Sequence, residues 1–478
     1  MYREDNMARV KKEYDAEGVK LTMRTGDYLA DMSGQLALGV MGNLVGQMTY
    51  FYTDKVGMAV GAVGVVMAIA KIVDAFTDVI FGNIIDHSRG GNKKYFRWMI
   101  SLAIPAAIIV ALMFMVPKNV SSGMQVAYAL VTNLLLTAVI YTMIATPFSA
   151  VMVVRTRSNS ERASMGVFRA VGNYGAGMII AIATIPVTNA LGGTQDAWIK
   201  YGVVLALFVF LLFMICWLNG HKAAFTREEE SASGTPAEPE EEAVPFGPAM
   251  SMLFKNKYWV IVLLFNLITA ITNAIVGSAA TYYCKWIFGN DNLVALLGGV
   301  GLAATVIGFI LSKPIINKLG VTRTVSLGCL GAAFFAGIRC FAPANFYLYV
   351  GSSLLGSFVQ IPLMCLYGVL LAMAVDYNEW KYDKKLVAMS SGAIGFGNKV
   401  GSGIGSLLLS AFLVIGSYDA TLAVASQSMR WSIYGFSNYL PLVINLIMFL
   451  IFRGFDLEQK LPQIREEVAV RREAKQAE

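Results

Sequence analysis

The sequence predicts an all-α protein that crosses a membrane twelve times and folds as two six-helix bundles. Three observations carry this. Hydrophobic residues fill 56% of the 478 positions and charged residues only 14%, a balance that no soluble domain of this size sustains throughout. Apolar runs long enough for spanning helices, which need about 20 residues, recur along the whole chain. One acidic, Pro- and Ser-rich stretch, TREEESASGTPAEPEEEAVPFGP, cannot bury anything and reads as a flexible linker that divides those runs six and six.

The expected spans are about 30–53, 57–86, 96–116, 124–153, 164–191, 199–219, 258–288, 293–316, 325–343, 346–376, 388–417 and 434–453. The organisation is then an N-terminal bundle over 1–219, a cytoplasmic linker over 220–257, a C-terminal bundle over 258–453 and a cytoplasmic tail over 454–478. The first residues are polar and hold no apolar signal core, so no cleaved targeting peptide is expected. The spans are glycine-rich, which lets helix backbones approach closely in lipid.

The net charge of +7 does not point to nucleic acid, because the cations follow topology. With both termini placed in the cytoplasm, the opposite loops hold only Lys55, Lys118, Lys200, Lys285 and Arg430. Lys71, Arg169, Arg339 and Lys399 fall inside spans, and all other Lys and Arg are on the inner side, as the positive-inside rule requires. The two halves also echo each other. Span two ends in GNIIDHSRGG and span eight in PIINKLG, each followed by basic residues. Parallel six-helix repeats build the major facilitator architecture, with the substrate site near the midplane.

Inside span two, Lys71, Asp74 and Asp78 (i, i+3, i+7) share a helix face. Ionisable groups in hydrocarbon are costly and mark ion or substrate routes, so this face is expected to hold a coupling cation. Lys399 sits mid-span and is expected in the transport cavity. Arg169 lies near the inner end of its span and reads equally as a substrate contact or as a snorkelling or gate residue. Arg339 reads as snorkelling. Amides offer both donor and acceptor to sugar hydroxyls; the candidates are Asn43, Gln47, Asn173, Asn266, Asn273, Gln360 and Asn398, with Thr269, Tyr141, Tyr174 and Tyr367 beside them. Singly, each reads first as helix–helix glue.

The motifs YFYTDKVG (50–57), KIVDAFTDVIFG (71–82), YTMIATPFSAV (141–151), VDYNEWKYDKK (375–385), SSGAIGFGNKVGSGIG (390–405) and the tail FDLEQKLPQIREEV (455–468) resemble the glycoside–pentoside–hexuronide:cation symporter family along nearly the whole chain. The resemblance implies that Asp74 and Asp78 hold a coupling Na⁺ or H⁺, with Thr142 as a hydroxyl ligand and Lys399 bordering the site from the other half. It implies a charged gate at Asp376, Glu379 and Lys381 that pairs with basic loops when the inside is closed; a nearby amine can pair with the carboxylates once the cation has left, and Lys71 is expected to take part in gating. The chain departs from melibiose permease in three places. Thr77 replaces an asparagine and still offers an oxygen, while Leu38 and Ala145 replace sugar-binding aspartates.

The expectation is a cation-coupled sugar or glycoside symporter working by alternating access in the plasma (inner) membrane, with a monomer sufficient. Because Lys71, Arg169 and Lys399 outnumber Asp74 and Asp78, acidic glycosides such as hexuronides are expected. The alternative is a carrier of lysophospholipids or amphipathic drugs. No enzyme is expected: His87 and His221 lack partners at catalytic or metal-ligand spacing, and the five cysteines form no C-x-x-C pair. No cofactor, and no metal beyond Na⁺, is implied; the partners are a small sugar and membrane lipid.

Overall fold

The computed structural model describes residues 21–86, 94–156, 158–220, 245–384 and 386–477. The basic turn after the second span, both histidines and most of the acidic linker lie outside these residues. The helices are α1 (Thr25–Tyr50), α2 (Val60–Asp86), α3 (Lys94–Leu112), α4 (Ser122–Leu134), α5 (Thr142–Arg155), α6 (Asn159–Ala190), α7 (Gln195–Gly220) and α8 (Phe246–Phe254). They continue with α9 (Lys257–Trp286), α10 (Leu293–Leu319), α11 (Val321–Phe341), α12 (Phe346–Cys365), α13 (Tyr367–Tyr382), α14 (Val387–Ile415), α15 (Gln427–Tyr434), α16 (Leu440–Phe452) and α17 (Leu457–Ala477). Three π-helical turns interrupt the α-helical pattern: Phe51–Val56 prolongs α1, Leu135–Tyr141 joins α4 to α5, and Gly435–Tyr439 joins α15 to α16.

Eleven helical runs among the described residues are long and apolar enough to span a membrane. The twelfth span is α1, whose 26 residues reach about 39 Å at 1.5 Å per residue. Its Asp27, Asp31 and interspersed polar residues keep it out of those eleven runs. The described residues form an all-α, polytopic membrane protein. The chain divides into two compact units, residues 1–58 with 73–239 and residues 59–72 with 240–478.

In the first unit, the YFYTDKVG segment is an aromatic anchor. Tyr50, Phe51 and Tyr52 are fully buried, with Phe51 5.2 Å from Trp198 and 5.4 Å from Phe114 between ring centroids. Asn133 donates to the Tyr52 hydroxyl at 2.9 Å, which satisfies a polar tip inside the bundle. Gly57, at φ +80°, ends the helix in the left-handed region.

In the second unit, glycines in the SSGAIGFGNKVGSGIG segment serve contact. A Cβ on Gly401 would lie 2.5 Å from the Leu267 carbonyl, and one on Gly405 2.6 Å from that of Ile271. The backbones of α9 and α14 therefore touch along this seam, which no larger residue permits.

Two expectations about loops change. The end of the presumed flexible linker folds as α8, because Ala249 and Leu253 bury fully against the second unit. The tail is α17, which docks across one end of that unit with Leu457 and Ile464 buried. There Glu458 accepts the backbone N–H groups of Val321 and Thr322 at 2.7 and 2.8 Å. Burial pushes the Glu458 carboxyl up, and these two donors more than offset it, holding it below the usual range. The Lys460 ammonium and the Tyr258 hydroxyl hold Asp456 well below it.

Candidate functional site

The first part of the site lies where α2 meets α5. Helix α2 runs unbroken past Lys71, Asp74 and Asp78, so the three keep one face. Asp74 is 4% exposed and Thr142 1%, and the Thr142 hydroxyl donates to Asp74 Oδ1 at 3.2 Å. The same hydroxyl lies 3.4 Å from the carbonyl oxygen of Thr137, five residues back. That spacing exists because the turn Leu135–Tyr141 is π-helical, with a wider ring than an α-turn. Thr77 donates its hydroxyl to the Asp74 carbonyl at 3.1 Å, which leaves its oxygen as an acceptor. The side chain of Asp78 lies outside the described residues.

A second cluster of the same unit joins α1 to α6. Asn43 donates to the Gly39 carbonyl at 2.8 Å, and a Cβ on Gly39 would lie 3.2 Å from Asn173 Oδ1. A Cβ on Gly177 would lie 3.3 Å from Asn43 Oδ1, and one on Gly42 3.7 Å from the Tyr141 ring. Asn43, Asn173 and Tyr141 thus converge on one short stretch of α1. Arg169 is placed differently from a free substrate contact. It forms two hydrogen bonds with Asp31, at 2.6 and 2.8 Å, and stacks over the Phe148 ring at 3.9 Å. The guanidinium is engaged inside the helix bundle, which fits the gate or structural reading.

The sequence reading passed over Asp31. At the very start of the first apolar run, a carboxylate resembles a solvated boundary residue. Its spacing of four from Asp27 also gave no reason to turn it inward. Glu161 was missed for the same reason. It is 2% exposed and accepts the backbone N–H groups of Thr22 and Met23 at 2.8 and 2.7 Å.

In the second unit, Lys71 lies beside α14: a Cβ on Gly403 would sit 3.4 Å from both the Lys71 Cβ and the Ala68 carbonyl oxygen. Lys399 is one turn earlier on α14, so both lysines belong to this seam. Asn398 is exposed, and its carbonyl accepts from Ser402. Thr269, Asn273, Gln360 and Tyr367 line one recess between α9, α12 and α13. Asn266, one turn away, has its Oδ1 buried without a hydrogen-bond partner.

The expected gate residues sit at the end where α17 docks. Asp376 pairs with Arg465 of α17 at 2.8 and 2.9 Å, where a basic loop was expected; the tail helix reaches it because Leu457 and Ile464 are anchored in the core. Trp380 Nε1 donates to Glu467. Lys381 reaches the Lys255 carbonyl at 3.4 Å, and the Glu379 carbonyl accepts the Asp383 N–H at 2.8 Å. Arg339 donates to Ser353 on the neighbouring helix rather than only snorkelling. Among the described residues, no group of His, Cys, Asp and Glu has the arrangement of a multi-ligand metal site.

A family model described as MFS/sugar transport protein matches residues 31–459. The isoprimeverose transporter of Lactiplantibacillus pentosus is 25% identical over 401 residues, covering 80% of this chain and 78% of the relative. The inner membrane symporter YicJ of Escherichia coli (strain K12) is 26% identical over 425 residues, covering 87% and 88%. Among solved structures, a bacterial homolog of the human lysosomal transporter Spinster superposes with a TM-score of 0.67 at 13% identity, covering 92% of this chain and 98% of that one.

Proposed function

The chain belongs to the MFS/sugar transport protein family, the glycoside–pentoside–hexuronide symporters that its motifs resemble, and on that footing we propose that it takes up a sugar or glycoside coupled to Na⁺ or H⁺. The membrane is the inner (plasma) membrane, with both termini cytoplasmic. The observation that carries the coupling is the buried Asp74–Thr142 contact. A carboxylate and a hydroxyl within 3.2 Å offer a small cation two oxygens, and Thr77 and Asp78 follow on the same helix. With the cation gone, Lys71 on the preceding turn neutralises the face. Substrate and cation then favour each other, since coupling in binding free energy is reciprocal.

The preference for acidic glycosides rested on surplus positive charge in the membrane interior. Asp31 pairs with Arg169, so of the three cations counted toward that surplus only Lys71 and Lys399 are left to face Asp74 and Asp78. The charge count therefore admits an uncharged sugar as well as an acidic one.

The test is uptake of labelled glycosides into proteoliposomes under an imposed Na⁺ or H⁺ gradient. Asp74→Asn should lose accumulation while sugar exchange continues. Full gradient-driven accumulation by this variant would overturn the coupling role.

A further inference from the structure

We infer that the recess inside the second unit receives an uncharged, hydroxyl-bearing end of the transported sugar. This rests on the sugar-transport reading and names which part of the substrate goes where. The recess has a volume of about 40 Å³, room for about three waters or one small polar substituent. Its polar lining is Thr269, Thr272, Asn273, Gln360, Tyr367 and Asn445, and no charged residue takes part.

Some of these groups are already engaged. Thr272 donates to the Ile268 carbonyl at 3.0 Å and Asn445 to that of Pro441 at 2.8 Å, so both keep acceptor lone pairs. The side chains of Asn273 and Gln360 form no hydrogen bond among the described residues. Asn273 is exposed, so the recess is accessible on its side. Asn273 is exposed and Gln360 partly so, and each amide offers both a donor and an acceptor to a hydroxyl group entering the recess. The Phe265 and Tyr367 rings, 4.8 Å apart, form an apolar wall. That combination of amides, hydroxyls and a ring face matches a sugar edge. It does not match a carboxylate, which would enter without a cation to pair with it.

The experiment is exchange and thermal-shift measurement on the full-length protein, using neutral methyl pyranosides and the corresponding methyl uronides as probes. The variants are Asn273→Leu and Gln360→Met, which keep volume and place apolar groups in an apolar bundle. Each should raise the KM for the best neutral pyranoside roughly five- to tenfold, the worth of one neutral hydrogen bond. The ligand-free melting temperature should hold, so that a raised KM reports lost binding and not lost folding. Gln360→Asn, which restores the amide, should recover part of the affinity. In the wild type, the matching uronide should compete at least tenfold less well. If both variants keep the wild-type KM, or the uronide competes equally, the recess assignment falls while sugar transport stands. If no pyranoside or uronide binds the wild type, both fall together.

Discussion

Asp31 and Arg169 face each other as a two-pronged ion pair, Nε to Oδ2 at 2.6 Å and Nη2 to Oδ1 at 2.8 Å. Their side chains are only 2% and 9% exposed. Removing one partner strands the other charge away from water. Asp31→Asn or Arg169→Gln should therefore destabilise the protein by about 3 kcal/mol or more, whereas the double change Asp31→Leu with Arg169→Met should recover most of that loss. Melting of the detergent-purified variants checks this; a double variant as unstable as either single one would refute it.

Thr142 touches Asp74 through a single hydroxyl. Thr142→Ser keeps that oxygen, and Thr142→Val keeps the shape without it. The valine variant should need about tenfold more coupling ion for half-maximal uptake, and the serine variant close to the wild-type amount. Equal ion dependence in all three would remove Thr142 from the site.

Gly320 holds φ +79° and ψ 175°, a region open almost only to glycine. A Cβ there would sit 2.7 Å from Glu458 Oε1. Gly320→Ala should cost about 1–3 kcal/mol of strain and push Glu458 off the first N–H groups of α11. Hydrogen exchange at Val321 and Thr322 should accelerate, while that of α4 stays unchanged.

The docking of α17 should tolerate mild acid. Asp456 is held below its ordinary value by Lys460 and Tyr258. Glu467 is held down by Trp380 and Gln463. A carboxylate depressed in the folded state stabilises it fully above its unfolded pKa, about 4, and loses that effect as pH falls through the folded value. Hydrogen-exchange protection factors over 457–471, taken relative to the intrinsic rate at each pH, should stay flat from pH 8 to about pH 5 and fall only in stronger acid. A transition near pH 6 would require a different titrating group.

The membrane spans and the helix-two face were legible because each has a direct physical signature, apolar length for one and costly charge for the other. Thr142 came from a family motif; nothing in the spacing of the fourth span announces the wide turn that presents it to Asp74. Thr269, Asn273, Gln360 and Tyr367 were each visible as polar residues in apolar runs. Their convergence was not, because it depends on how α9, α12 and α13 pack. Asp31 escaped notice because a carboxylate at a span's edge looks solvated until its partner, 138 residues away, is seen.

The π-helical turn before Thr142 also bears on how this chain is compared with its relatives. Such a turn accommodates one residue more than the α-helix on either side. A relative lacking it would be one residue shorter within this span and still cross the same thickness. Matching the two chains without a gap would shift every position on one side of the turn and pair Thr142 with a residue from a different face. The proper place for a one-residue gap is inside 135–141, in the middle of a helix, where alignment practice least often puts one.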